Sequence, residues 1–153
     1  KRRFGSLRGL RIGIVGDIAH SRVAGSLIHA MVPLGMELVL VGPREWLPGE
    51  TSLPLSQDLD ATLPHLDVVY LLRVQRERGG VIDGDYVTRF RMDARRAAEL
   101  GEDAVIMHPG PINRGVELSS DAADSQHSII LDQVENGVAI RMAVLYLLAG
   151  TKG

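Results

Sequence analysis

With 153 residues, 45% of them hydrophobic and 24% charged, the chain has the size and composition of one soluble globular domain. Its 17 basic and 19 acidic residues leave a formal charge of −2, so no global basic field is available to hold nucleic acid, and two Phe, three Tyr and one Trp are few for stacking bases. The lack of cysteine removes disulfide and thiolate chemistry and fits a reducing cytoplasm; the longest apolar stretch, Val138 to Ala149, contains Arg141 and is too short to span a bilayer.

The chain opens on "KRRFGSLRGL" without an initiator methionine and reads as a piece of something longer. "LRIGIVGD" (Leu10 to Asp17) is an apolar run closed by Gly16, a candidate buried strand. "SRVAGSLIHAMVPLG" (Ser21 to Gly35) has an N-cap serine and a terminal glycine and is expected to be a helix that Pro33 ends or bends early. "ELVLVGP" reads as a second strand, stopped by Gly42-Pro43. The proline-rich "REWLPGETSLPLS" is irregular, and "QDLDATLPHL" is at most a short helix. "DVVYLL" is a third strand, "GDYVTRFRMDARRAAELG" a helix ending at Gly101, and "DAVIMHPGP" a fourth strand running into a rigid turn. "NRGVELSSDAADS" is expected to be a loop, and "QHSIILDQVENGVAIRMAVLYLLAG" one long helix or two broken near Gly137. The arginines of "TRFRMDARR" are expected on a solvated helix face.

Strands alternating with helices predict an α/β fold: three layers, α/β/α, around a mainly four-stranded, parallel, Rossmann-like sheet. Ligands of such sheets bind beyond the carboxyl ends of the strands. Those ends are Gly16-Asp17, Gly42-Pro43, Arg73-Val74-Gln75 and His108-Pro109-Gly110-Pro111. After the first strand the G-x-G-x-x-G pattern is missing, and the second strand ends without an acid for a ribose hydroxyl, which disfavours a dinucleotide. What remains there is Arg22, in the first turn of a helix. A cation at that position opposes the macrodipole; it is either a tolerated surface charge or, with nearby backbone N–H groups, a partner for an anion.

"RVQRER" follows the third strand. Side chains alternate along an extended segment, so Arg73 and Gln75 share one side, whereas Arg76 and Arg78 are candidates for solvent and Glu77 for pairing with one of them. Two readings stand: a solvated strand end, or a guanidinium fork that holds a carboxylate bidentately with a glutamine beside it. In "HPGPINRG" two prolines around a glycine fix the backbone and leave few N–H donors, so the carbonyls are free to accept from an amine or amide; a rigid turn without a ligand is the alternative. His108 is a candidate polariser or acid, although a lone histidine is more often structural. His20, His29, His65 and His127 show neither H-E-x-x-H nor tight ligand spacing, and no G-x-S-x-G is present. The last helix is apolar on all sides from Val138 to Ala149, so it requires a second covering surface, from a further domain or another subunit.

Together, "GLRIGIVGDIAHSRVAGS", "LLRVQRER", "HPGPINRGVE" and "QVENGVAIRMAVL" resemble, in order and at about the right spacing, the aspartate/ornithine carbamoyltransferase family, specifically the second, aspartate-binding domain of an aspartate carbamoyltransferase catalytic chain. The first domain, with its Ser-Thr-Arg-Thr-Arg phosphate motif, has no counterpart in these residues, and the family's last helix packs back upon it. The ornithine branch carries His-Cys-Leu-Pro at the fourth strand end, where this chain has no cysteine, and an arginine-rich strand end suits two carboxylates better than ornithine's ammonium.

The resemblance implies that Arg22, Arg73 and Gln75 hold the two carboxylates of L-aspartate. Gly110 and Pro111 are implied to present backbone carbonyls to the carbamoyl nitrogen and the aspartate amine. His108, Arg76, Glu77 and Arg114 are implied in support, the last three bracing a closed form. It implies transfer of the carbamoyl group of carbamoyl phosphate to L-aspartate, with no metal or organic cofactor. It also implies a cytoplasmic homotrimer joined in some members by regulatory or dihydroorotase subunits. Gly25 stands where many members carry an arginine, and the stretch between Arg78 and His108 departs from the family's usual Tyr-Gly-Leu pattern. The alternatives are a transcarbamoylase for another amine and a non-catalytic homologue that binds or scaffolds partner enzymes.

Overall fold

The computed structural model describes residues 3–74 and 84–150. Among them five strands, β1 (Arg11–Val15), β2 (Glu37–Val41), β3 (Leu55–Ser56), β4 (Val68–Leu71) and β5 (Val105–Met107), pair in parallel in the order β3-β2-β1-β4-β5. The helices are α1 (Arg22–Met31), α2 (Leu59–Thr62), α3 (Gly84–Phe90), α4 (Ala94–Ala98), α5 (Ser120–Ala123) and α6 (Ile130–Ala149).

The three layers follow from the period of the strands. Ile12, Ile14, Leu38, Leu40, Val68, Tyr70 and Val105 point to one face, where Ala24, Leu27, Ile28 and Met31 of α1 cover them. Val15, Val41, Val69, Leu71 and Ile106 point to the other, against Leu59 of α2, Tyr86 and Phe90 of α3, Ala97 of α4 and Ala122 of α5. Both faces are buried, which is why these strands read as continuous apolar runs rather than alternating ones. Each fully buried aliphatic side chain contributes about 1.5–3 kcal/mol.

The four expected strands are present, and a fifth extends the sheet. Leu55–Ser56 lies inside the proline-rich stretch, yet the Pro54 and Ser56 carbonyls accept the N–H groups of Leu40 and Gly42 at 2.9 and 3.0 Å. Two residues are too few to show a period. Helix α1 begins as expected, with Ser21 Oγ accepting from the Ala24 N–H at 3.2 Å, and ends at Met31, ahead of Pro33.

Two expectations are corrected. The single helix expected up to Gly101 is two, because Met92 is drawn into a bridge with Leu118: its N–H donates to the Glu117 carbonyl at 3.0 Å and its carbonyl accepts from Ser119 at 2.9 Å. Asp93 then caps α4. The expected loop after Asn113 contains α5, capped by Ser119. Of the two alternatives for the last helix the single one is observed, since α6 runs through Gly137 unbroken.

The "TRFRMDARR" arginines do not all face solvent. Arg96 is 4% exposed. Its Nε and Nη2 grip the two oxygens of Asp60 at 2.7 and 2.9 Å, while Nη1 and Nη2 donate to the carbonyls of Arg91 and Thr88 at 2.7 and 3.2 Å. The planar guanidinium thus joins α2, α3 and the α3–α4 link. The exposed Arg95 spans Asp60 and Glu99 at 2.9 and 2.6 Å. The Arg96 hydrogen bonds outweigh partial desolvation and hold the Asp60 carboxyl down from 3.8 to about 2.

Among the described residues helix α6 is docked through its first turn. Ile130 is buried, and Gln133 accepts from the His108 N–H at 3.2 Å and donates to the Tyr70 hydroxyl at 3.1 Å. Beyond them Ile140, Leu145 and Leu148 are 64%, 66% and 78% exposed. No helix among the described residues is long and apolar enough to cross a membrane.

Arg96→Ala removes the donor to the Arg91 and Thr88 carbonyls, leaves the Asp60 carboxylate with Arg95 alone among these arginines, and is expected to lower stability by about 1–3 kcal/mol, measured by denaturant unfolding of the intact protein. Asp60 titrates lower folded than unfolded, so its contribution is complete above 3.8 and disappears as pH falls through about 2. Asp60→Asn is therefore expected to be less stable than wild type near neutrality, with the gap closing across that acid window.

Candidate functional site

The strand order turns back on itself between β1 and β4. From β1 the chain proceeds outward to β2 and β3, then returns to the other side of β1 as β4 and continues to β5. The connections leaving β1 and β4 therefore part, and the crevice between them at the carboxyl edge is the position where open parallel sheets bind ligands. Val15 is in register with Leu71, and the Leu72 N–H still donates to the Val15 carbonyl at 2.8 Å, so the divergence begins directly after these residues.

Arg22 and Arg73 flank that crevice. Arg22 is the first residue of α1, exposed, one position after the Ser21 cap. The path to it is held by Asp17, which accepts from the His20 N–H at 3.2 Å and faces His20 Nδ1 at 2.8 Å. The Trp46 carbonyl, accepting from Ile18 and Ala19 at 3.0 and 2.9 Å, ties this loop to the one after β2. The two loops pass so closely that a Cβ on Gly42 would lie 2.7 Å from the Gly16 carbonyl oxygen. Arg73 is two residues beyond β4 and half-buried. Gln75, Arg76 and Glu77 lie outside the described residues.

The turn after β5 is the third wall, next to β4 in the sheet. Gly110 has φ +68°, a conformation that L side chains rarely adopt, and is followed by a cis peptide to Pro111. His108 does not reach the crevice as an acid. Its ring is fully buried, its Nδ1 accepts from the Gly110 N–H at 2.9 Å, and its Nε2 faces Glu117 Oε1 at 3.1 Å. That pattern puts the ring proton on Nε2 and makes the histidine structural. Glu117 Oε1 also accepts from the Asn113 N–H at 2.6 Å, and Asn113 Nδ2 donates to the Val74 carbonyl at 2.9 Å. Arg114 is exposed and paired with Asp124 at 3.3 Å.

An aromatic column supports these loops from within. Trp46 and Tyr86 have ring centroids 4.6 Å apart, Tyr86 and Phe90 5.6 Å. Burial, with the nearby Glu117 and Asp17 charges, pushes the Tyr86 phenol well above its ordinary value, so it stays protonated between two carboxylates.

The structure thus brings Arg22, Arg73 and the Gly110–Pro111 backbone to neighbouring strand exits, a set that can set guanidiniums against carboxylates and carbonyls against an amine. Glu117, Asn113 and Tyr86 were not picked out by sequence reasoning. Glu117 and Asn113 lie within "HPGPINRGVE", but nothing in that string shows that the glutamate turns inward.

Residues 8–148 match the family model described as aspartate/ornithine carbamoyltransferase, Asp/Orn binding domain. An aspartate carbamoyltransferase catalytic subunit of Opitutus terrae is 50% identical over 98% of this chain and 50% of its own length. One from a Nocardioides species is 52% identical over 95% of this chain and 47% of its own. An ornithine carbamoyltransferase of Pyrococcus furiosus superposes with a TM-score of 0.84 at 25% identity, over 99% of this chain and 53% of that one. The chain spans about half the length of the curated relatives it matches.

Proposed function

The chain belongs to the aspartate/ornithine carbamoyltransferase family, and from that premise we propose that it supplies the aspartate-binding half of an aspartate carbamoyltransferase. The observation that carries this reading is the pairing of two arginine-bearing exits, Arg22 after β1 and Arg73 after β4, across the point where the strand order reverses. Relatives about 50% identical that are named aspartate carbamoyltransferase catalytic subunits support aspartate over ornithine as the amine.

In this reading Arg22, Arg73 and Gln75 hold the α- and β-carboxylates of L-aspartate. The Gly110 and Pro111 carbonyls accept hydrogen bonds from the amine and the carbamoyl nitrogen. The deprotonated amine attacks the carbonyl carbon of carbamoyl phosphate. The new C–N bond forms, the amine loses a proton, and the tetrahedral intermediate expels phosphate to leave N-carbamoyl-L-aspartate. Rate comes from holding two anionic reactants in attacking orientation and offsetting their repulsion with fixed cations.

The carbamoyl phosphate contacts belong to the remaining half of the protein, which also covers the apolar flank of α6. We extend the proposal to a cytoplasmic homotrimer working in pyrimidine biosynthesis, with regulatory or dihydroorotase chains as further partners. Arg76, Glu77 and Arg114 are assigned to bracing the closed site.

Arg73→Ala in the full-length protein is expected to weaken aspartate handling by about 2–5 kcal/mol, the scale of a truncated charge pair in a desolvated site. Carbamoyl phosphate binding is expected to change much less, and aspartate kinetics identical to wild type contradict the assignment. The 153-residue chain assayed by itself is expected to show no carbamoyl transfer; turnover by it alone rules out a site shared with the other half.

A further inference from the structure

We propose that Glu117 is a positioning residue that locks the His108–Pro111 turn to the exit of β4, and so sets the carbonyls of the site against its guanidinium; this role rests on the aspartate-site reading above. The carboxylate is 1% exposed and sits in sequence between the buried Val116 and Leu118. Burying a carboxylate is costly, and an apolar residue of similar volume would fill the space at lower cost. Its hydrogen bonds account for its presence.

Oxygen Oε1 receives two donors from the loop that follows β5: His108 Nε2 at 3.1 Å and the Asn113 N–H at 2.6 Å. Each is the start of a relay toward the site. Through the first, the imidazole plane is fixed, and its Nδ1 takes the Gly110 N–H at 2.9 Å. Because that backbone group can only donate, Nδ1 must accept, Nε2 must carry the proton, and the group facing Nε2 must be an acceptor. The Pro109–Gly110 amide plane is thereby fixed, and it anchors the chain one residue before the Gly110 carbonyl. Through the second, Asn113 is oriented so that Nδ2 meets the Val74 carbonyl at 2.9 Å, one residue after Arg73. One oxygen thus governs both carriers of the site. The companion Oε2 is buried with no hydrogen-bond donor among the described residues, so it is Oε1 that the geometry uses.

The test is steady-state carbamoyl transfer by the full-length protein, with aspartate varied at saturating carbamoyl phosphate, and carbamoyl phosphate affinity measured separately. Glu117→Ala is expected to raise the aspartate KM by about tenfold or more while carbamoyl phosphate affinity stays within about twofold, the pattern of a misplaced half-site. Glu117→Gln keeps an oxygen at the Oε1 position and is expected to recover most of the loss. Asn113→Ala, which cuts only the relay to Val74, is expected to raise the aspartate KM by about threefold. A folded Glu117→Ala protein with wild-type aspartate KM, equal losses for both ligands, or a glutamine variant no better than the alanine one overturns the role. Should Glu117→Ala fail to fold, Asn113→Ala decides, and an unchanged aspartate KM there overturns it. Wild-type protein that fails to carbamoylate aspartate overturns the underlying site reading, and shows this before any substitution is made.

Discussion

The reversal of strand order between β1 and β4 is the constraint from which the rest follows. A parallel sheet delivers every strand end to one edge, and its connections must leave that edge in one direction or the other. Where neighbouring strands send them apart, the backbone opens without giving up ladder hydrogen bonds. Val15 and Leu72 remain bonded up to the brink, at 2.8 Å. Past it the β1 exit stays tied to β2, with the Gly16 N–H donating to the Val41 carbonyl at 2.9 Å, while the exit of β4 leads to Arg73 on the other side. The turn after β5 joins them because β5 lies beside β4.

Two polar centres brace the layer below this edge. Arg96 gathers α2, α3 and the link to α4 around one guanidinium, and Glu117 gathers the β5 exit around one carboxylate. In each case a charged group is buried with multiple directional partners, which is the condition under which such burial is tolerated. The first centre holds helices that carry none of the assigned binding residues. The second touches the His108–Pro111 turn at the exit of β5. Tyr86 meets Trp46 at a tilt, stacks on Phe90, and is close enough to Glu117 and Asp17 to feel both charges.

Much of this was legible in the residues. Continuous apolar runs gave the long strands, Ser21 and Pro33 bracketed α1, and the strand ends were legible as stops. Local signals failed where distant groups compete with the helix. Nothing in "TRFRMDARR" shows that Met92 will leave its helix for Leu118, because that bridge is made across 26 residues of chain. For the same reason Arg96 read as a surface charge; its carboxylate partner lies 36 positions earlier. Periodicity is blind to β3 and α5, of two and four residues. For His108 both an acid and a structural role were open, and its buried partners support the structural one.

A rod of twenty residues, about 30 Å long, leaves the fold with little but its first turn attached. Its flank is as oily as a protein interior, with Leu131 and Leu148 among the bare side chains. Such a surface ties solubility to company. Any surface that covers this flank in the folded state alone raises the melting temperature, so that temperature is not set by these residues by themselves.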